Sequence, residues 1–169
     1  MAKPDLQQVP PFYHNYINLV KSDSLREAFK THLLSLTSLL NNIPEERWGY
    51  RYAADKWSIK EVVQHIIDAE RIFNYRALCI ARKESASLPG FDENNYAAAS
   101  QADARSKSDL VEELEAVQKS SLLLFKSFDE DQLNRTGTAN NKQISVKAIG
   151  FITVGHALHH RNILEERYV

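Results

Sequence analysis

Three of the protein's six histidines lie in one short segment, GHALHHRNIL, near the end of the sequence. His156 and His160 are four residues apart, so on a helix their imidazoles come from successive turns and can converge on one metal ion. His159 falls nearer the edge of that helix face, which suits a residue beside a site or at the surface. Buried core histidines show the same spacing, and only a third ligand separates the two interpretations.

A fourth histidine, His65, is the candidate third ligand. It lies about 10 Å along a predicted helix that begins after Ser58, whereas His156 and His160 centre about 13 Å from the end of their own helix. These levels nearly coincide if the two helices run antiparallel, and they differ by about 9 Å if the helices run parallel. The sequence therefore predicts a three-histidine site that depends on an antiparallel arrangement.

Three neutral imidazoles suit a divalent ion such as zinc or nickel, and they leave coordination positions open. An open site is typical of catalysis, because the ion lowers the pKa of a bound water or thiol and polarises a substrate. Hydrolysis and thiol transfer are the reaction classes that follow. Asp68, Glu61 and His159 are candidates for orienting the ligands or carrying protons, although charged residues at helix flanks are more often simply solvated.

The elements that must position these residues are predicted to be helices, because the few glycines and prolines fall between long runs of helix-forming residues. Hydrophobic periodicity predicts four of them, over about 11–41 with an irregularity at KSDS, 58–82, 108–128 and 145–167. Ser58 and Glu61 predict a capping box at the start of the second. A linker of roughly 25 residues follows that helix, with one short helical turn near 96–101.

Four amphipathic helices bury their apolar faces on one another, so the predicted fold is all-α, a four-helix bundle. The long linker between the second and third helices permits a crossover along the bundle and hence up-down-down-up connectivity. In that order the second and fourth helices lie antiparallel. No repeat or composition change divides the 169 residues, so we expect a single domain over 1–169.

Two features near His65 have competing interpretations. Glu70 falls inside the apolar stripe of the second helix, so we expect an ion pair with an arginine such as Arg76 or with a partner on the first helix. The segment RWGYRYAADKW is rich in aromatic and basic residues and precedes this helix. Its side chains either line the mouth of the site or pack over the end of the bundle.

Charge and cysteine content narrow the class of protein. The formal net charge is -1 and the basic residues are interleaved with acidic ones, so no nucleic-acid partner is expected. The single cysteine, Cys79, excludes an intramolecular disulfide framework. The sequence begins without a signal-peptide pattern and contains no apolar run of membrane-spanning length, so we expect a cytoplasmic protein.

The segments KWSIKEVVQHIIDAERIFNYRALCIAR and GHALHHRNIL together resemble the DinB-like superfamily, also called YfiT-like, which is unrelated to the DNA polymerase that shares the name. The resemblance covers nearly the whole chain. It implies an up-down-down-up bundle, frequently a homodimer, that binds zinc or nickel through His65, His156 and His160. Asn162 and Ile163 stand where many relatives have Gly and Gln, which weakens any subfamily assignment.

The resemblance also implies a range of activities. Relatives include S-transferases that use a low-molecular-weight thiol, a thiol-dependent isomerase and proteins described as hydrolases. Our prediction is a divalent-metal-dependent enzyme that acts on a small-molecule substrate, with thiol transfer placed ahead of hydrolysis. The alternatives are a non-catalytic metal-binding or dimeric interaction protein, and a plain helical bundle whose histidines belong to the core.

Overall fold

Helices make up most of the structure, a computed structural model that describes residues 3–169 apart from the side chain of Leu33. In chain order they are α1 (His14–Leu19), α2 (Leu25–Asn42), α3 (Ile59–Ala81), α4 (Glu93–Ala99), α5 (Lys107–Lys126), α6 (Glu130–Asn134) and α7 (Val146–Arg167). Single 3-10 turns lie at Leu6–Gln8, Pro11–Tyr13, Glu45–Arg47 and Ala102–Ala104. Within the described residues, no helix combines the length and the apolar run that a bilayer span requires.

Each of the four long helices begins after a serine. The hydroxyl oxygens of Ser24, Ser58, Ser106 and Ser145 each accept a hydrogen bond from the backbone N–H three residues later. At α3 the capping box is complete, because Glu61 also accepts from the backbone N–H of Ser58 at 2.8 Å. These local bonds satisfy amide groups that a helix start leaves without partners, so they fix where α3 and α7 begin.

The four long helices form a bundle in which α3 packs against α5 and α7, and α2 packs against the same two helices. Contacts at the ends give the relative direction of α3 and α7. Tyr168, after α7, donates its hydroxyl to the carbonyl of Trp57, before α3. Arg135, before α7, donates to the carbonyl of Ala81, at the end of α3. These two helices therefore run in opposite directions.

The prediction of an all-α chain needs one correction, a β-hairpin just before α7. Strands β1 (Thr136–Ala139) and β2 (Lys142–Ser145) pair antiparallel. Asn140 and Asn141 form the two-residue turn with φ of 49° and 58°, the left-handed conformation that asparagine tolerates and that such hairpins require. Leu88 from the long linker bonds to the free edge of β1, so the hairpin holds the linker in place.

The first predicted helix is divided in the structure. It comprises the 3-10 turn at Pro11–Tyr13, then α1, and after a break at 20–24 the long helix α2. The break coincides with KSDS, where the Ser22 hydroxyl bonds to the backbone of Ser24. Serine side chains that bond to nearby backbone compete with helix formation, which accounts for the interruption. As a result α1 is a separate element, and it packs against α7.

Candidate metal centre

His65 on α3 meets His156 and His160 on α7 inside the bundle. The Nε2 atom of His156 lies 3.0 Å from that of His65 and 3.1 Å from that of His160. Each of the three offers a ring nitrogen within 4.8 Å of the other two. His65 and His156 are buried and His160 is partly buried. The structure thus brings together the three histidines that the sequence selected, one from α3 and two from α7.

The donor set fits a divalent ion better than it fits hydrogen bonds among the rings. The Nε2 atom of His156 is close to both neighbours, and a single lone pair or N–H cannot serve two partners in good geometry. Nitrogens that share a tetrahedral zinc ion at about 2.0–2.1 Å lie roughly 3.4 Å apart, only slightly farther than the observed separations. A small outward movement of the rings would accommodate an ion.

Burial keeps the three imidazoles neutral. It lowers the pKa of His65 to about 4, with Glu93 acting in the opposite direction. It also lowers the pKa values of His156 and His160 well below the usual value, and the neighbouring histidines add to the effect. A neutral imidazole has a free lone pair, which is the form that binds a metal.

Aromatic side chains surround the triad. The ring of Trp57 lies 4.9 Å from that of His65, and the ring of Phe73 lies 5.7 Å from that of His156. These residues line a cavity of about 250 Å³. Its other lining residues are Phe12, Tyr13, Tyr16, Arg76, Phe91, Glu93, Asn140, His159 and His160. The proposed ligands therefore lie in the wall of a small, largely aromatic cavity.

A close approach of α1 to α7 places one of these aromatic residues. A Cβ atom on Gly155 would lie 2.0 Å from the carbonyl oxygen of Tyr16, so only glycine allows the two backbones to approach this closely. The Tyr16 ring then lies 5.5 Å from that of His156 and 5.4 Å from that of His159. Because the first predicted helix is divided, α1 lies against α7 and its Tyr16 forms part of the cavity wall.

Of the three residues predicted to assist the ligands, His159 alone lines the cavity. Glu61 belongs to the capping box of α3 and pairs with Arg51. Asp68 accepts a hydrogen bond from Gln64 at 2.9 Å, and Gln64 accepts one from Arg105. Glu61 thus lies at the start of α3, and Asp68 joins a polar network beside α5.

The expected ion pair between Glu70 and an arginine does not form. Glu70 instead accepts a hydrogen bond from the hydroxyl of Ser121 on α5. Its other oxygen has no partner among the described residues, and burial raises its pKa to about 7. Arg76 points to the cavity beside the triad. The two residues are six apart on α3, so they leave the helix about 120° away from each other.

The aromatic segment before α3 divides between its two expected roles. Trp57 lines the cavity and contacts His65. Trp48 is buried in the core, and the rings of Tyr50 and Tyr52 pack edge-on against Tyr168 at the end of α7. Trp57 therefore belongs to the cavity, whereas Trp48 lies in the core and Tyr50 and Tyr52 pack at the end of the bundle.

Arg76 was not predicted as a cavity residue, although its spacing from His65 could have indicated that position. It follows His65 by eleven positions, about three helical turns, and so lies on nearly the same face of α3. Tyr16, Phe91 and Asn140 had no comparable signal. They reach the cavity from α1, from the linker and from the hairpin turn, and their places depend on tertiary packing.

A second cavity, of about 630 Å³, lies between α2, α7 and the connection that precedes α2. It is larger than the cavity at the triad, and His32, Val154 and Arg161 are among its lining residues. The cluster of metal-binding side chains found among the described residues is at the smaller one. We therefore place the candidate chemistry there, because size alone supplies no reactive group.

Comparison with known proteins agrees with this fold. The solved structure of YfiT from Bacillus subtilis, described as a probable metal-dependent hydrolase with an unusual four-helix bundle topology, superposes with a TM-score of 0.74 at 15% identity. The match covers 98% of this chain and 91% of that one. No curated protein sequence matches the chain. The family model of the DinB superfamily matches residues 28–164. This chain therefore belongs to the DinB superfamily.

Proposed function

We propose that the protein is a metal-dependent hydrolase of a small molecule, with zinc or nickel held by His65, His156 and His160. The observation that carries the proposal is the convergence of three neutral imidazoles in the wall of an aromatic cavity. The likeness of the fold to YfiT, described as a probable metal-dependent hydrolase, supports it. A bound divalent ion would supply Lewis-acid activation of water or of a substrate carbonyl.

The chain's own groups would bind and orient the substrate. A cavity of about 250 Å³ admits a small molecule rather than a polymer segment. Trp57, Phe73 and Tyr16 offer apolar surfaces that would hold the substrate and limit water around it. His159, which lines the cavity next to His160, would donate a hydrogen bond to the substrate or carry a proton.

Thiol transfer is the second candidate. Cys79 does not line the cavity, and no other cysteine occurs in the sequence. A thiol nucleophile would therefore come from a separate low-molecular-weight cofactor. At the triad that thiol would give its proton to a base, for which His159 is the candidate, and the thiolate would attack an electrophile in the same cavity and displace its leaving group. We now place hydrolysis first because the similar structure is described in those terms.

We also infer the up-down-down-up order for the bundle, which the site needs. Lys107 at the start of α5 donates to the carbonyl of Ile43 just after α2, which supports opposite directions for those helices. Asn74 of α3 donates to Ser121 of α5, while Arg105, before α5, reaches Gln64 near the start of α3. These two bonds support a parallel arrangement of α3 and α5.

We propose that the protein forms a homodimer and that it is located in the cytoplasm. Tyr75 and Leu78 on α3 and Leu123 on α5 are exposed apolar side chains on helices that pack together, which supports a pairing surface. Light scattering in solution tests it, since Leu78→Glu with Leu123→Glu should give a monomer. A wild-type monomer at micromolar concentration would contradict it.

Metal analysis is the first test. Protein purified without a histidine tag and reconstituted with zinc or nickel should hold one ion per chain, and His65→Ala and His160→Ala should hold little. His159→Ala is the matched control, because this neighbouring histidine lies outside the triad, and it should retain the ion. An ion-free wild type, or equal loss in the control, would contradict the proposal.

Activity assays separate the three functions. Ester and amide panels should show turnover that depends on the ion and falls at least tenfold in His65→Ala. Turnover seen only with an added low-molecular-weight thiol and an electrophile would replace hydrolysis by thiol transfer. An ion that raises thermal stability while every panel stays at background would favour the non-catalytic alternative.

A further inference from the structure

Arg76 is a buried cation in the wall of the cavity. Its side chain is 5% exposed, and none of the ion pairs found among residues 3–169 includes it. Its Nη2 donates to the carbonyl of Pro89 at 2.6 Å, and the Phe91 ring lies 6.0 Å from its guanidinium carbon. Burial lowers its pKa. The charge is thus largely shielded from water, and no carboxylate among the described residues pairs with it.

Such a charge is costly to keep. Proteins usually pair a buried guanidinium with a carboxylate, since a lone charge is strongly disfavoured in a low-dielectric interior. The hydrogen bond to Pro89 uses one N–H group of the guanidinium and ties Arg76 to the linker that follows α3. A guanidinium has five N–H donors, and the remaining ones have no acidic partner within residues 3–169. The guanidinium therefore has N–H groups free to donate hydrogen bonds to an anion from outside the chain.

The position of Arg76 connects it with the triad. Both belong to the same cavity. Phe73 lies one turn before Arg76 on α3 and contacts the ring of His156, so the cavity runs from Trp57 past the histidines and Phe73 to Arg76. Among the described residues that line the cavity, Arg76 is the one lysine or arginine and the exposed Glu93 is the one acid. The buried part of the lining therefore carries a single positive charge.

We propose that the ligand of this site is a monocarboxylate with an apolar or aromatic body, whose carboxylate binds Arg76 and whose reacting group faces the three histidines. The position of the reacting end rests on the proposed function. The carboxylate end rests on Arg76 alone. A carboxylate matches the single charge and the planar N–H fork, whereas a phosphate dianion would call for a second cation.

Matched ligands test the carboxylate on unaltered protein. Binding of 3-phenylpropionate and of its uncharged amide, 3-phenylpropanamide, would be measured by calorimetry. Intrinsic tryptophan fluorescence would be a second signal, because Trp57, one of the two tryptophans, lines the cavity. The acid should bind at least tenfold more tightly than the amide, in zinc-loaded and in metal-free wild type alike. A charge-assisted hydrogen bond to a buried group is worth about that factor or more.

Variants of Arg76 test whether this residue binds the carboxylate. Arg76→Met should bind the acid at least tenfold more weakly and the amide about as well as wild type does. Arg76→Lys should fall between them, because it keeps the charge and loses the fork. Thermal melting identifies a variant that does not fold, and in that event the acid and amide pair on wild type decides the matter.

Three outcomes would overturn the proposal. Equal affinity of wild type for acid and amide is one, and undiminished binding of the acid by folded Arg76→Met is another. A preference for the acid that vanishes when zinc is removed is the third, since the carboxylate would then be bound to the ion. Conversely, a protein that binds no metal yet prefers the acid through Arg76 would defeat the proposed function and leave this inference standing.

Discussion

The carboxyl of Glu70 is buried on α3, with one oxygen bonded to Ser121 of α5. Burial without a cationic partner favours its protonated form and raises its pKa to about 7. An acid with a raised folded-state pKa stabilises the fold fully below its unfolded pKa, and it loses that contribution as the pH rises through the folded value. For Glu70 the loss runs from about pH 4.5 to about pH 7.

Replacing Glu70 by glutamine should remove this loss. Because glutamine resembles the neutral acid, Glu70→Gln should be more stable than wild type at pH 8, by on the order of 3 kcal/mol or roughly 6–12 °C in Tm. At pH 4.5 the two proteins should differ little. Thermal melts across this range measure it, with the exposed Glu112→Gln as control. A variant no more stable than wild type at pH 8 would contradict the assignment.

At the scale of elements, the contact between α1 and α7 shapes the cavity. A glycine at 155 lets the backbone of α1 rest on α7 and brings Tyr16 next to His156 and His159. The hairpin also contributes to the cavity. Its turn residue Asn140 lines the cavity, and the edge of β1 bonds to the linker. Short elements thus complete a site whose ligands come from two long helices.

Gly155→Ala tests the role of this contact. The added methyl would meet backbone atoms of Tyr16, so the strain can be relieved only if α1 moves. We expect a loss of about 1–3 kcal/mol in the free energy of unfolding, measured with urea. Gly49→Ala is the matched control, because nothing lies within 4 Å of its Cβ position. Equal stability of the two variants would show that α1 does not depend on the contact.

At the scale of the whole molecule, the triad joins two helices that are far apart in sequence. An ion bound by His65 on α3 and by His156 and His160 on α7 would bind the folded chain in preference to the unfolded one. Ligands of that kind stabilise by mass action. The bundle should therefore be more stable with metal than without it, whatever reaction it catalyses.

Zinc should accordingly raise the Tm of metal-free wild type. Free ion at a hundred times its Kd contributes about 2.7 kcal/mol, or roughly 5–11 °C for a chain of this length. His160→Ala should show little change, and His159→Ala should respond as wild type does. Scanning calorimetry with and without zinc measures the shift. An equal rise in His160→Ala would show that the ion binds elsewhere.

Much of the fold could be predicted because its signals are local. The Ser58 and Glu61 capping box and the 3.6-residue period of apolar side chains concern neighbours in the chain. The pairing of His156 with His160 follows from helical spacing. The addition of His65 needed one further assumption, the antiparallel direction of α3 and α7, which the contacts of Tyr168 and Arg135 show.

The tertiary structure alone decided what each side chain faces. It placed Asp68 in a network beside α5, gave Glu70 a serine instead of an arginine, and left Arg76 buried without an acid. It also brought Tyr16, Phe91 and Asn140 to one cavity from three separate elements. The sequence by itself determined the approximate extent of the long helices and a set of histidines able to share an ion, since these depend on spacing along one chain. Partners and cavity walls depend on how helices pack, and that is fixed by contacts between residues distant in sequence.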